Sequence, residues 1–220
     1  FGSSHFGTSR FKACSEGIGG TRSGRWTMAK PHTCEKALQI WSEKNDNADV
    51  TEAEVVKLMC FMPPIAIMDV VALNKLVNVK HLSLSTNAIE KMTPLSALRN
   101  LEILSLGRNN IKKIAGLEDV GATLTELWLS YNQIASLDGL QPCVKLHVLF
   151  ISNNKIADAS ELSKLEANKD LTKVNFKYNP FYTGMSLRQA RDTIFETLPQ
   201  LQSIDGKMAG SVTDDEAEGD

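Results

Sequence analysis

Five asparagines recur along the chain at spacings of 22, 23, 22 and 25 residues: Asn87, Asn109, Asn132, Asn154 and Asn179. A carboxamide carries two N–H donors and one carbonyl acceptor. A regular series of them suits one chemistry well, the satisfaction of backbone N–H and C=O groups at buried turns. Catalytic patterns do not accompany it. The sequence has no phosphate-binding glycine loop, no Gly-x-Ser-x-Gly, no His-Glu-x-x-His and no calcium loop. His5, His32, His81 and His147 lack metal-ligand spacing; His81 and His147 fall on strand positions with two repeats between them and read as surface decoration. Cys14, Cys34, Cys60 and Cys143 form no Cys-x-x-Cys pair and read as reduced thiols of an intracellular protein. Asp138-Gly139 and Asp205-Gly206 are turn signals. These residues predict no metal, no cofactor and no enzyme.

The elements that position the asparagines are legible around them. Val79, Leu82, Leu84, Asn87, Ile89, Met92 and Leu95 make a first repeat. Leu101, Leu104, Leu106, Asn109, Ile111, Ile114 and Leu117 make the second, and Leu124, Leu127, Leu129, Asn132, Ile134, Leu137 and Leu140 the third. Leu146, Leu149, Ile151, Asn154, Ile156, Ala159 and Leu162 make the fourth, and Leu171, Val174, Phe176, Asn179 and Phe181 a shortened fifth. Two apolar residues at spacing 2 make a short strand with one inward face. The asparagine comes where the chain turns away, and the next apolar residues pack the return leg. No unit of this kind buries its face alone, so the units stack. The expectation is an α/β leucine-rich repeat solenoid with parallel strands on the concave face and a helical cap at each end. Residues 52–68 read as a degenerate starting repeat, with Val56, Leu58, Ile65 and Met68 apolar and Pro63-Pro64 replacing the asparagine turn.

The caps follow from helical spacing. Thr33 can N-cap a helix over 33–45 in which Cys34, Ala37, Leu38 and Trp41 share a face, ended by Asn45-Asp46-Asn47. A second helix is expected at about 186–197, with Leu187, Ile194 and Leu198 apolar. The solenoid with its caps spans 28–206. Residues 1–27 carry four basic residues and one acid, show no apolar periodicity, and read as a disordered upstream extension or expression remnant ahead of Met28; a transit peptide is the rival reading. Residues 207–220 read as an acidic disordered tail. No run of 18 apolar residues exists, so no membrane span is expected. The net charge of −2 provides no global basic field for nucleic acid.

Strand alternation assigns an outward face. Ile103, Trp128, Val148 and Phe150 fall on it in neighbouring strands and make an exposed apolar patch of the kind that marks a protein partner. A cap or loop folded over the patch is the competing reading. Lys173 and Lys177 flank the patch toward the C-terminal cap. Arg188 and Arg191, three apart on the cap helix, fall on roughly one face and could meet an acidic partner, though a plain solvated face would look the same.

The asparagine ladder belongs to the 22-residue subclass of leucine-rich repeats. The strings LSTNAIEKM, LSLGRNNIKKI, LWLSYNQIASLDGL and ISNNKI, with the preceding MPPI, resemble the leucine-rich light chains of axonemal outer-arm dynein. The ending NPFY…LPQLQSIDG resembles the C-terminal cap of that family, and the resemblance covers about residues 28–206. It implies a non-catalytic ciliary or flagellar motor subunit of the axonemal cytoskeleton. Such a light chain binds the motor region of a dynein heavy chain at the microtubule-binding tip of its stalk and tunes how the motor holds the microtubule. The resemblance maps the heavy-chain contact to Ile103, Trp128, Val148 and Phe150, and a basic cap-helix position to Arg191. The chain departs from the family pattern at Glu196-Thr197, where relatives are basic, and in a shorter segment between Tyr182 and the cap helix. Two other readings use the same concave face. One is a regulatory subunit of type-1 protein phosphatase, which is built from more repeats. The other is a splicing-type leucine-rich subunit that binds a folded RNA-recognition domain rather than RNA.

Overall fold

A computed structural model describes residues 30–208; the expectations for residues 1–27 and for most of the acidic tail lie outside the described residues. Helix α1 (Cys34–Lys44) precedes strand β1 (Val55–Lys57) and the short helix α2 (Val70–Leu73). Then come β2 (His81–Ser83), β3 (Ile103–Ser105), β4 (Glu126–Trp128), β5 (Val148–Phe150) and β6 (Lys173–Asn175). Helix α3 (Leu187–Thr197), β7 (Ser203–Ile204) and β8 (Lys207–Met208) complete it. The sheet runs β1 to β8 in chain order. Every pairing from β1 to β7 is parallel, one solenoid coil per strand.

The register stacks like on like. Val56, Leu82, Leu104, Leu127, Leu149, Val174 and Ile204 pair strand to strand. All seven are buried, as is the second column, Leu58, Leu84, Leu106, Leu129, Ile151 and Phe176. Ile65 and Met68 of the degenerate first repeat join them. Each coil therefore covers the apolar face of the one before, which is why the repeats cohere.

The asparagines do what their spacing predicts. Asn132 Oδ1 accepts from the Ile111 N–H at 3.0 Å, and its Nδ2 donates to the carbonyls of Leu106 (3.0 Å) and Leu129 (2.9 Å). Asn109, Asn154 and Asn179 repeat this pattern one coil apart. Asn87 reaches back to the Ile65 N–H and so ties the first coil to the ladder. The residue just before each ladder asparagine (Thr86, Arg108, Tyr131, Asn153, Tyr178) has a φ between 55° and 63°. That left-handed corner is disfavoured for side chains with a Cβ. It recurs because it swings the asparagine inward.

Both caps form. Thr33 Oγ1 accepts from the Lys36 N–H and starts α1, whose Cys34, Ala37 and Leu38 are buried. Ser186 starts α3 with a reciprocal capping box to Gln189. Asp205-Gly206, with φ of 56° and 82°, turns β7 back into β8. This corrects the expectation for residues 207 and 208: they are not disordered tail but an antiparallel strand on β7. Sequence reading missed it because two-residue strands carry no periodicity.

Candidate functional site

The outward residues of the central strands form two adjacent rows on the concave face. His81, Ile103, Glu126, Val148 and Lys173 make one row; Ser83, Ser105, Trp128, Phe150 and Asn175 make the next. Alternation along each strand puts the intervening leucines into the core and these side chains on the opposite, concave side, where Ser83 alone among them is buried. Trp128 is 40% exposed, and Ile103, Val148 and Phe150 are half-buried. The Trp128 and Phe150 rings meet edge to face with centroids 4.8 Å apart. The indole N–H of Trp128 donates to Glu126 Oε2 at 3.1 Å, which fixes the ring on the sheet. Lys173 Nζ stands 5.4 Å from the Phe150 ring centroid, a cation–π distance.

Trp128 divides the face. On its C-terminal side lie Phe150, Val148 and the basic margin of Lys173 and Lys177. On its N-terminal side the small residues Ser83, Ser85, Ser105 and Gly107 leave a trough of ≈ 570 Å³, bounded by Met59, His81, Ile103, Arg108, Trp128 and Tyr131. The Arg108 guanidinium lies 4.3 Å from the Tyr131 ring centroid. Both come from the left-handed corners ahead of the ladder asparagines, so the same turn that points Asn109 and Asn132 inward sets this pair on the rim. The Ser83 hydroxyl in the floor is buried and hydrogen-bonds to none of the described residues. Burial, and then the nearby Lys57 charge, push the His81 pKa down, against a smaller opposing pull from Glu126.

The surface presents flat rings, a wall, a small-residue floor and a cationic edge. Among the described residues no group of three or more His, Cys, Asp or Glu could hold a metal ion. No helix among them is long and apolar enough to cross a membrane.

A family model described as Leucine Rich repeats (2 copies) matches residues 122–164, which hold β4, β5 and Trp128. Dynein axonemal light chain 1 of Chlamydomonas reinhardtii is 46% identical over 183 residues, 81% of this chain and 91% of that protein. The human protein of the same name is 44% identical over 81% of this chain and 94% of its own length. This chain belongs to the dynein axonemal light chain 1 family. An internalin of Listeria monocytogenes superposes with a TM-score of 0.52 at 21% identity, over 69% of this chain and 40% of the internalin, and shares the fold alone.

Set in that family, the expected site residues are distributed as follows. Ile103, Trp128, Val148 and Phe150 lie together on the concave face, but not in one line: Glu126 separates Ile103 from Val148 in their row. Lys173 is exposed at the margin and Lys177 half-buried beside it. Arg188 is exposed on α3. Arg191 is not on that surface. It is 8% exposed, turned toward the cap interior, where its charge acts on the Tyr182 phenol. Three residues of helix is a turn of about 300°, and that offset was enough to put Arg188 in solvent and Arg191 inside. The Tyr182 hydroxyl donates to Asp205 Oδ2 at 2.5 Å, while Asp205 Oδ1 accepts from the N–H groups of Phe176 and Lys177. Desolvation, with the Asp205 charge second, raises the Tyr182 pKa far above its ordinary value. Sequence reasoning also missed Met59, Arg108 and Tyr131. For Arg108 and Tyr131 the signal lies in the aligned column just before each ladder asparagine, and for Met59 in the spacing of 2 that runs through Val55, Lys57 and Met59.

Proposed function

We infer that this protein is a non-catalytic light chain of axonemal outer-arm dynein that grips a dynein heavy chain with its concave face. The observation that carries the reading is the Trp128–Phe150 pair, a rigid aromatic ridge left open to solvent at the centre of that face in a member of the dynein axonemal light chain 1 family. Large aromatic side chains on a rigid sheet bind a partner at little cost in side-chain entropy. The partner surface is the microtubule-binding region of the heavy-chain stalk. Its apolar residues cover Trp128, Phe150, Ile103 and Val148, and its acidic groups meet Lys173 and Lys177. Arg188, exposed beyond that margin, is placed to touch the heavy chain or the acidic surface of tubulin. The light chain acts by differential contact: whichever stalk conformation it binds more tightly becomes more populated, and the motor's hold on the microtubule shifts accordingly. Its place of work is the axoneme of a cilium or flagellum.

Affinity capture of the tagged chain from ciliated or flagellated cells, in salt that dissolves outer arms, followed by mass spectrometry, tests the reading. It stands if a dynein heavy chain is recovered and is lost with a Trp128→Ala/Phe150→Ala double substitution. Recovery of a phosphatase or spliceosomal subunit without any dynein would overturn it.

A further inference from the structure

The sheet has an open end. β1 is its first strand, and no strand pairs with its outer side among the described residues. The inner side is fully engaged by even-numbered residues. Glu54 O accepts from the N–H groups of Lys80 and His81, Leu58 N–H donates to Ser83 O, and Cys60 N–H donates to Ser85 O. Backbone groups alternate sides along a parallel strand. The N–H and C=O groups of Val55, Lys57 and Met59 therefore face outward. Against this edge lies a cleft of ≈ 450 Å³, walled by Ile40 and Trp41 of α1 and by Val55, Met59 and Phe61. Val55 and Met59 are each 47% exposed. The cleft's charged lining is Lys44 and Lys57, with no carboxylate.

We propose that this edge and cleft bind an extended segment of another protein, added as a strand beside β1, with apolar side chains in the cleft and an acidic residue against Lys44 and Lys57. Unpaired strand edges take such segments through main-chain hydrogen bonds, and the cleft supplies the side-chain selection. Charge chooses the occupant. Residues 1–27 hold four basic residues and one acid, so they oppose the two lysines. A second copy paired edge to edge about a two-fold axis would bring one Lys57 toward the other. An acidic-apolar strand from a partner meets neither obstacle. The cleft shares Lys57 and Met59 with the trough but not Trp128, which stands on β4 three strands along the sheet, and the proposal does not depend on the concave-face reading.

The probe is a fluorescein-labelled octapeptide of alternating valine and threonine with one central aspartate, measured by anisotropy against the full chain. Sub-millimolar binding is expected, about tenfold weaker when the aspartate is replaced by lysine. Lys57→Pro removes one outward N–H and leaves every bond to β2 in place, a substitution that edge strands accept; it should weaken binding by about tenfold or more, with circular dichroism unchanged. Lys57→Gln, which keeps that N–H, should lose only the aspartate preference. Trp128→Ala should change nothing. Absence of binding, or binding that survives Lys57→Pro, would overturn the proposal, as would loss with Trp128→Ala. Amide exchange of Val55, Lys57 and Met59 in the free chain is expected to be fast. Slow exchange at every concentration would assign the edge to residues 1–29, and slow exchange only at high concentration to a second copy; either result overturns a foreign partner.

Discussion

Replacing Trp128 by alanine should separate docking from folding. About 250 Å² is a generous area for a tryptophan side chain, and at 40% exposure roughly 100 Å² remains for a partner to cover. At about 25 cal/mol per Å², covering it contributes about 2.5 kcal/mol, so Trp128→Ala should weaken heavy-chain binding by roughly 70-fold. The fold loses far less. The ring's edge-to-face contact with Phe150 is the main specific interaction removed, worth about 0.5–1.5 kcal/mol, and the vacated space opens to solvent instead of becoming a cavity. For a chain of this size that lowers Tm by only a few degrees, at about 2–4 °C per kcal/mol. The assay is isothermal titration of the full chain against a recombinant dynein stalk fragment, paired with thermal unfolding of the same samples. Val144→Ala, another half-exposed apolar residue away from the concave rows, is the control and should alter neither. An affinity loss below about threefold would refute the ridge as the docking surface. A Tm loss beyond about 10 °C would refute the assignment of the ring to the outside.

Three further outcomes follow from the core, the C-terminal cap and the thiols. Asn132→Ala strands the Ile111 N–H and two carbonyls in a buried turn and should cost about 3–5 kcal/mol in urea unfolding, whereas Asn87→Ala, half-buried at the ladder's end where water reaches, should cost about 1–2 kcal/mol. The Tyr182 pKa is raised in the folded chain, so its stabilising contribution is complete below the unfolded phenol pKa of about 10 and is lost as pH rises above it. Unfolding free energy should therefore fall above that pH in the wild type and fall less steeply in Tyr182→Phe. Burial pushes the Cys143 thiol up to about 12 and raises Cys34 as well, so both should resist iodoacetamide at pH 8 until the chain unfolds, while exposed Cys60 reacts in the native state.

The repeat alone determined the solenoid. Asn87 through Asn179 at near-constant spacing, each flanked by the same apolar positions, leave one economical arrangement, because a unit with a single apolar face must stack to bury it and its turn must find hydrogen-bond partners. Strand alternation then assigned Trp128 and Phe150 to the outside, since a period of 2 admits two faces and the leucines claim one. The helical caps were legible for a similar reason: Thr33 and Ser186 are side chains that satisfy free N–H groups at a helix start.

What the tertiary structure decided depends on contacts between residues distant in sequence. Arg188 and Arg191 look alike on a helical wheel, and only the packing of α3 against the last coils, beside Tyr182, sorts one into solvent and the other into the interior. The trough beside Trp128 exists because four small residues from two neighbouring coils, Ser83 and Ser85 from one and Ser105 and Gly107 from the next, come to lie together, and no local pattern announces an absence of bulk. Tyr131 and Arg108 reach the rim because the ladder forces their backbone into the left-handed corner, a constraint imposed by the hydrogen bonds of the asparagine that follows each of them. The open edge of β1 is likewise a property of position: it alternates as the inner strands do and pairs with β2, and it is the first strand in the sheet order among the described residues. Periodicity fixes which face of each element is apolar, since that is written locally; which surfaces meet is settled by the neighbours the fold brings in.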